Sequence, residues 1–315
     1  MSQRESTACW PSVGVVVPTK DRPALLGQAL AAILAQDYPG EVLVVVVDDA
    51  GAQYPDVAQG DRPGTPRRRT SVVTNSRTPG LAGARNTGIA GLSTDLVAFC
   101  DDDDVWAPDK LTAQVAALLS EPEAEMAACA IEVDYAGVRS VRRAGRERLE
   151  YADLLGSRMS MAHSSTFLLR RDRLVDGIGL LDETIPGSQN EDWDLLLRAA
   201  RRHPVVMVDE PLVRVLWGQS SYFSRQWQTR VSSLLWMLRR HPEIAGHRIG
   251  AARVYGQLAF GYAVLGQRRT SLRWSARSVR RRWREPRGLI AAAVATRLVP
   301  AERVMATLHR RGHGI

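Results

Sequence analysis

The stretch Val97–Lys110, VAFCDDDDVWAPDK, decides how this chain folds and where its chemistry sits. An apolar run, Leu96–Cys100, leads directly into Asp101, Asp102, Asp103 and Asp104. Val105 and Trp106 follow, then Pro108, a residue suited to opening a helix. Apolar residues right up to an acidic run predict a buried strand whose C-terminal end delivers carboxylates to a crevice. Four adjacent carboxylates repel one another unless a cation sits among them. Oxygen donors suit Mg²⁺ or Mn²⁺, which combine one or two protein carboxylates with substrate phosphates. The alternative is a solvated acidic turn.

The residues before this stretch build its frame. Val13–Val17 is a β-branched run interrupted by Gly14 and ended by Pro18-Thr19, which predicts a buried parallel strand. Asp21 is placed to cap a helix that has Pro23 early and Leu25, Leu26, Ala29, Leu30, Ile33 and Leu34 as its apolar stripe. Val42–Val47 predicts a second strand ending in Asp48-Asp49, so another carboxylate pair reaches the same sheet edge. Residues 50–69 read as a loop, Ser71–Thr74 as a short strand, and Gly80–Gly88 as a glycine-rich turn entering a helix that carries Arg85.

Downstream, a helix is expected over Lys110–Leu119, and strands over Met126–Tyr135, Ser164–Leu169 and Val205–Val208. A hairpin is expected at Gly137. Asn190-Glu191-Asp192-Trp193-Asp194 opens a helix, and helix capping alone would explain two of its three carboxylates. Past Trp217 only helical patterns remain: Arg225–Arg240, Glu243–Gly266 with a bend at Gly250 or Gly256, Ser271–Trp283, Leu289–Leu298 and Ala301–Arg310. We therefore expect an N-terminal extension (1–12), a mixed α/β domain (13–217) and an all-helical region (218–315). Tyr255, Leu258, Ala259, Tyr262, Gly266, Ala276 and Pro286 have the cadence of one tetratricopeptide unit.

Composition excludes several classes. The chain has 315 residues, 45% of them hydrophobic, enough for one large α/β domain and a smaller one. Cys9, Cys100 and Cys129 are far apart without CxxC spacing, which argues against a disulfide framework or a zinc site and for a reducing, cytoplasmic compartment. MSQRESTACWPS has no signal-peptide core, and no apolar run reaches the ~18–20 residues of a membrane span. The net charge of +8 is uneven. Gln267–Arg287 carries nine arginines against Glu285 alone, which suits either a solvated helix face or contact with an anionic surface.

Five motifs in order resemble the family-2 inverting glycosyltransferases with the GT-A fold. They are VGVVVPTKDRP (Val13–Pro23), VVVVDDA (Val44–Ala50), GLAGARNTG (Gly80–Gly88), FCDDDDVWAPDKL (Phe99–Leu111) and NEDWDLLLR (Asn190–Arg198). The resemblance covers about Val13–Leu216 and implies a nucleotide-diphospho-sugar transferase fold, with a mixed sheet flanked by helices. It implies that Pro18, Thr19 and Asp21 touch the nucleotide, that Asp49 bonds the base, and that Arg85 lines the base and diphosphate pocket. The aspartate run resembles the family's DxD element. Asp103 matches the metal ligand, with Asp101 and Asp102 contacting ribose or metal-bound water, and Asp101 offering a second register for the metal. Asp192 resembles the catalytic base. The implied cofactor is Mn²⁺ or Mg²⁺, and the implied donor is a UDP, dTDP or GDP sugar.

The implied acceptor is a hydroxyl on a glycan, a lipid-linked glycan or a small molecule; the basic helices, which the resemblance does not cover, point to peripheral membrane contact, and no nucleic acid is expected. Two departures stand out. Val213–Gly218 lacks the histidine many relatives carry there, and Lys20 replaces an aromatic near the first strand. His163 is a further candidate on the acceptor side. A non-catalytic nucleotide-sugar-binding scaffold would need a broken acidic motif, and none is visible. A nucleotidyltransferase would need glycines after the first strand, where Pro18-Thr19-Lys20-Asp21-Arg22 stands. A nucleic-acid binder would leave the carboxylates unexplained.

Overall fold

The computed structural model describes residues 10–50, 67–135, 137–217 and 226–310. Most of the N-terminal extension, most of the loop after Asp49, and Gly218 lie outside them. The chain begins β1 (Val13–Thr19), α1 (Pro23–Leu34), β2 (Val42–Asp48), β3 (Arg68–Thr74) and α2 (Leu81–Ala90). The stretch around the aspartates forms β4 (Leu96–Phe99), β5 (Val105–Trp106) and α3 (Lys110–Ser120). Then come β6 (Met126–Tyr135), β7 (Val138–Arg142), β8 (Arg148–Leu149), α4 (Tyr151–Gly156), β9 (Leu168–Arg170), the single turn α5 (Arg171–Arg173), α6 (Glu191–Arg202) and β10 (Val205–Trp217). Helices α7 (Trp227–Arg240), α8 (Glu243–Gly246), α9 (Arg248–Val264), α10 (Arg268–Arg281), α11 (Pro286–Ala295) and α12 (Ala301–Arg310) complete it.

Among the described residues the strands join one mixed sheet of order β3-β2-β1-β4-β9-β6-β10-β5, with β7 on β6 and β8 on β10. β3, β2, β1 and β4 run parallel, so Asp48, Thr19 and the residues after Phe99 emerge at one edge. Side chains alternate between faces with the two-residue period of a strand. Val13, Val15 and Val17 pack with Leu26, Leu30 and Ile33 of α1 and Leu111 and Val115 of α3. Val16, Val45 and Phe99 face the other layer, with Ala84 of α2 and Leu196 of α6. That second layer also takes in Val231, Leu234 and Met237 of α7 and Val254 and Leu258 of α9. The helical region thus completes the core of the sheet.

Several expectations change. Asp21 does not cap α1; the cap position is Arg22, and Asp21 sits in the preceding loop at φ 54°. The strand expected at Ser71–Thr74 begins earlier: β3 starts at Arg68, whose buried guanidinium donates to the carbonyls of Gly40, at 2.7 Å, and of Tyr38. Ser164–Thr166 is a 3₁₀ turn, and the strand is confined to Leu168–Arg170. β10 runs through Pro211 to Trp217 because register shifts on either side of Pro211 absorb the missing N–H. The expected bend at Gly250 or Gly256 is instead a break at His247, whose side chain caps α9 by accepting from Gly250 N at 3.1 Å. Among the described residues no helix is long and apolar enough to cross a membrane.

Candidate active site

Asp104 N donates to Asp101 O at 3.1 Å, closing the four aspartates into a β-turn directly after β4. A turn points successive side chains in different directions, so the carboxylates diverge. Asp102 accepts from Thr19 Oγ1 at 2.8 Å, at the end of β1. Asp103 meets Arg22 at 3.0 Å, and Arg22 also reaches Asp102 at 3.4 Å. Asp101 accepts from Arg85 at 2.5 Å and from Ser164 Oγ at 3.1 Å. Asp104 turns inward, with Oδ2 3.4 Å from His163 Nδ1.

Arg85 is fully buried in α2 and spans two carboxylates. Nη2 takes Asp101 and Ser164 Oγ, and Nη1 takes Glu191 at the start of α6. It therefore links the β4 turn to the distant acidic helix. Glycines make this helix entry feasible: a Cβ on Gly83 would lie 1.9 Å from Thr78 O, and one on Gly88 2.4 Å from Val16 Cγ1. Asp49 holds the same turn, accepting from Gly80 N at 3.0 Å and Asn75 Nδ2 at 2.6 Å. Pro18 lies in β1 paired with Val47, and Asp21 is exposed in the loop beyond.

At α6, Asn190 is left-handed and makes no side-chain cap, while Glu191, Asp192 and Asp194 all lie in the first turn, where the helix dipole favours them. Each meets a cation. Glu191 has Arg85. Asp192 accepts from Arg158 at 2.5 Å and from Trp193 N at 2.7 Å. Asp194 accepts from Arg198 at 2.8 Å and lies 2.8 Å from His241 Nε2 at the end of α7. Asp194 therefore fixes the helical region to the sheet, and Asp192 remains on the site side beside a half-exposed Arg158.

The electrostatics follow from one cation serving several buried anions. Burial pushes Asp101 up, but Arg85, then His163, outweigh it and hold its pKa below the usual carboxylate range. Burial lowers Arg85 in turn, and its two carboxylates more than restore it. Glu191 is left less fully compensated: burial carries it to about 7 despite Arg85. Asp103 rises to about 6 through burial and its neighbours Asp101 and Asp102. Asp104 rises well above the ordinary range through burial, then Asp101 and Asp103. Burial would raise Asp192, but Arg158 wins and keeps it ionised.

A divalent ion fits one corner of this site. Asp101, Asp104 and His163 each bring one ligand atom within 4.8 Å of the others. Among the described residues Asp104 Oδ2 is buried with no hydrogen-bond partner. It faces His163 Nδ1, which itself accepts from Ser165 N at 3.4 Å, so two acceptor atoms oppose each other. A cation or a proton completes such a contact. Two carboxylates with an imidazole favour a transition ion such as Mn²⁺ over Mg²⁺. Asp103, the expected ligand, lies outside this group and against Arg22. Sequence reasoning missed Arg158, which sits in no motif, and gave no role to Arg22 although it lies within the first motif. The apposition of His163 and Asp104 carries no sequence signal either, being created only by the 3₁₀ turn after His163.

Comparison with known proteins places the chain in a family. The family model described as "Glycosyltransferase like family 2" matches residues 11–233. The UDP-Glc:alpha-D-GlcNAc-diphosphoundecaprenol beta-1,3-glucosyltransferase WfgD of Escherichia coli is 28% identical over 109 residues, 34% of this chain and 41% of that protein. The chain spans well under half the length of the curated relatives it first matches. Among solved structures, S. aureus TarS 1-349 in complex with UDP-GlcNAc superposes with TM-score 0.58 at 16% identity, covering 96% of this chain and 92% of that one. The mannosyltransferase PcManGT from Pyrobaculum calidifontis, in complex with GDP-Man and Mn2+, gives 0.53 at 19% identity, covering 96% and 85%. With the match running from before β1 into α7, over more than two thirds of its length, this chain belongs to the glycosyltransferase-like family 2.

Proposed function

We propose that this protein is a metal-dependent, inverting glycosyltransferase that moves a sugar from a UDP, dTDP or GDP donor to a hydroxyl acceptor. One observation carries the reading: a single buried arginine, Arg85, bridges the aspartate turn at the sheet edge and the acidic start of α6. That bridge supports a donor side and an acceptor side held in fixed relation. Thr19, Arg22, Asp102 and Asp103 fit the donor side, with Asp49 and the Gly80 turn behind them. Asp101, Asp104 and His163 would hold Mn²⁺ or Mg²⁺, which when bound offsets negative charge on a departing diphosphate.

Asp192 is the proposed base. In an inverting transfer the acceptor oxygen attacks the anomeric carbon opposite the leaving group, and its proton passes to a carboxylate on the acceptor side. Arg158 keeps Asp192 ionised and ready to accept. Its guanidinium is half exposed and can swing out as the acceptor hydroxyl comes in. Displacing it restores the proton affinity of Asp192 when a proton must be taken. The acceptor is a hydroxyl on a glycan, a lipid-linked glycan or a small molecule, and we place the reaction in the cytoplasm. Replacing Asp192→Asn should reduce transfer about 10²–10⁴-fold while nucleotide-sugar binding persists. Wild-type transfer rates in that variant would refute the assignment. A thermal-shift screen of UDP, GDP and dTDP sugars with and without Mn²⁺ identifies the donor.

A further inference from the structure

The outer face of α10 has a charge pattern that the transfer chemistry does not use. Arg269, Arg273, Arg277 and Arg281 follow one another at four-residue spacing and are all exposed. Like charges at that spacing repel along a helix. Among the described residues, none of the four has a carboxylate partner, and the one acid of the segment, Glu285, is buried and held by Arg287. The opposite face is neutral and tightly packed: Ser271 Oγ donates to Ala259 O at 2.8 Å, and Ser278 Oγ to Ala252 O at 2.7 Å. The helix is thus anchored on α9 with its repulsive ridge turned outward.

A cavity of about 470 Å³ lies at the C-terminal half of this ridge, lined by Tyr255, Arg277, Arg280 and Arg281. Three guanidiniums and a phenol make a donor-rich lining suited to phosphate oxygens. Just beyond it Trp283 is 65% exposed, with Arg284 over its ring at 4.9 Å. Leu272, on the ridge itself, and Leu289 and Leu298 are exposed as well. A polyanionic strand would use the arginines but has nothing to offer the aliphatic side chains. A bilayer interface accepts both, taking indole and leucine at headgroup depth while arginines meet lipid phosphates.

We propose that α10 and Trp283 form a docking face for a membrane surface rich in anionic phospholipid, with headgroup phosphates entering the Tyr255–Arg277–Arg280–Arg281 cavity. This stands apart from the transfer reaction and is tested without a donor sugar. The full chain is sedimented with phosphatidylcholine vesicles and with vesicles containing phosphatidylglycerol. Binding is expected only to the second, and should fall as salt is raised. Each of Arg273→Gln, Arg277→Gln and Arg281→Gln should weaken it about fivefold. Trp283→Ala should weaken it further, and brominated phosphatidylglycerol should quench fluorescence in wild type but not from that position in Trp283→Phe. Unchanged circular dichroism and melting temperature establish that the variants are folded. Equal binding to phosphatidylcholine, or full binding by the triple glutamine variant, overturns the proposal. So does tighter binding to single-stranded RNA than to vesicles together with indifference to Trp283→Ala, which would make the face a nucleic-acid site.

Discussion

Arg85 has one positive charge and two carboxylates to satisfy, and that shortage sets the character of the site. A lysine at this position would offer one compact charge in place of a planar fork and could not span Asp101 and Glu191 together. Arg85→Lys should therefore destabilise the protein by about 3–5 kcal/mol, the cost of leaving a buried carboxylate unpaired, measured by urea unfolding. Lys110 makes a contrasting case. It is fully buried at the start of α3, with Nζ 3.8 Å from the Trp106 ring centre and no hydrogen-bond partner among the described residues. Burial lowers its pKa from 10.5 to about 8, against a small opposing pull from Cys129 and Cys100. Between those values the unfolded chain binds the proton and the folded chain does not, so stability rises with pH across that window. Below it the folded protein carries the full cost of a buried ammonium, about 3 kcal/mol. Lys110→Met should raise stability at neutral pH and flatten the rise between pH 8 and 10.5; an unchanged slope would show that other groups cause it.

At the level of elements, the helix entry at Gly80–Gly88 is the tightest part of the site. A Cβ at Gly83 would overlap the Thr78 carbonyl, which is backbone and cannot swing away. Gly83→Ala should cost at least the ~1–3 kcal/mol of core overpacking and should lower nucleotide-sugar affinity by tilting Arg85, both readable in one thermal-shift titration. Elements of this kind were legible in the sequence where the physics is local. The valine runs of β1 and β2 and the apolar run into Asp101 are continuous because both faces of those strands are covered. β3 was half hidden because it opens on Arg68, a charge normally found outside, here buried to satisfy carbonyls. The Asp101–Asp104 turn was visible as acidity, but the division of labour within it was not. Asp103 and Asp104 look alike in sequence; only the turn sends one to Arg22 and the other to His163, 59 residues away. Arg158 next to Asp192 was invisible for the same reason, since partners 34 residues apart leave no periodic trace.

On the scale of the whole molecule, Asp194 ties α6 to α7 through His241, while Arg198 of its own helix holds the fully buried carboxylate in place. Asp194→Ala should leave the buried His241 without its partner, while Arg198 keeps its carbonyls of Ile178, Gly179 and Leu180, and should cost about 3–5 kcal/mol, lowering the melting temperature without changing donor preference. The layer that continues from Val16 and Phe99 through Trp193 and Leu196 to Val231, Met237 and Leu258 gives this link its wider meaning. The sheet and the first tail helices share one interior, so neither keeps a dry surface of its own if the other is removed. Calorimetry of the intact chain should accordingly give one cooperative transition for these parts. A protein shortened after Trp217 would present Trp193 and Leu196 to water and aggregate, however complete its acidic motifs. In evolutionary terms, the tail cannot be exchanged as a cassette between relatives: a new tail must bring residues that fill the same interior, and acceptor range and solubility would change together.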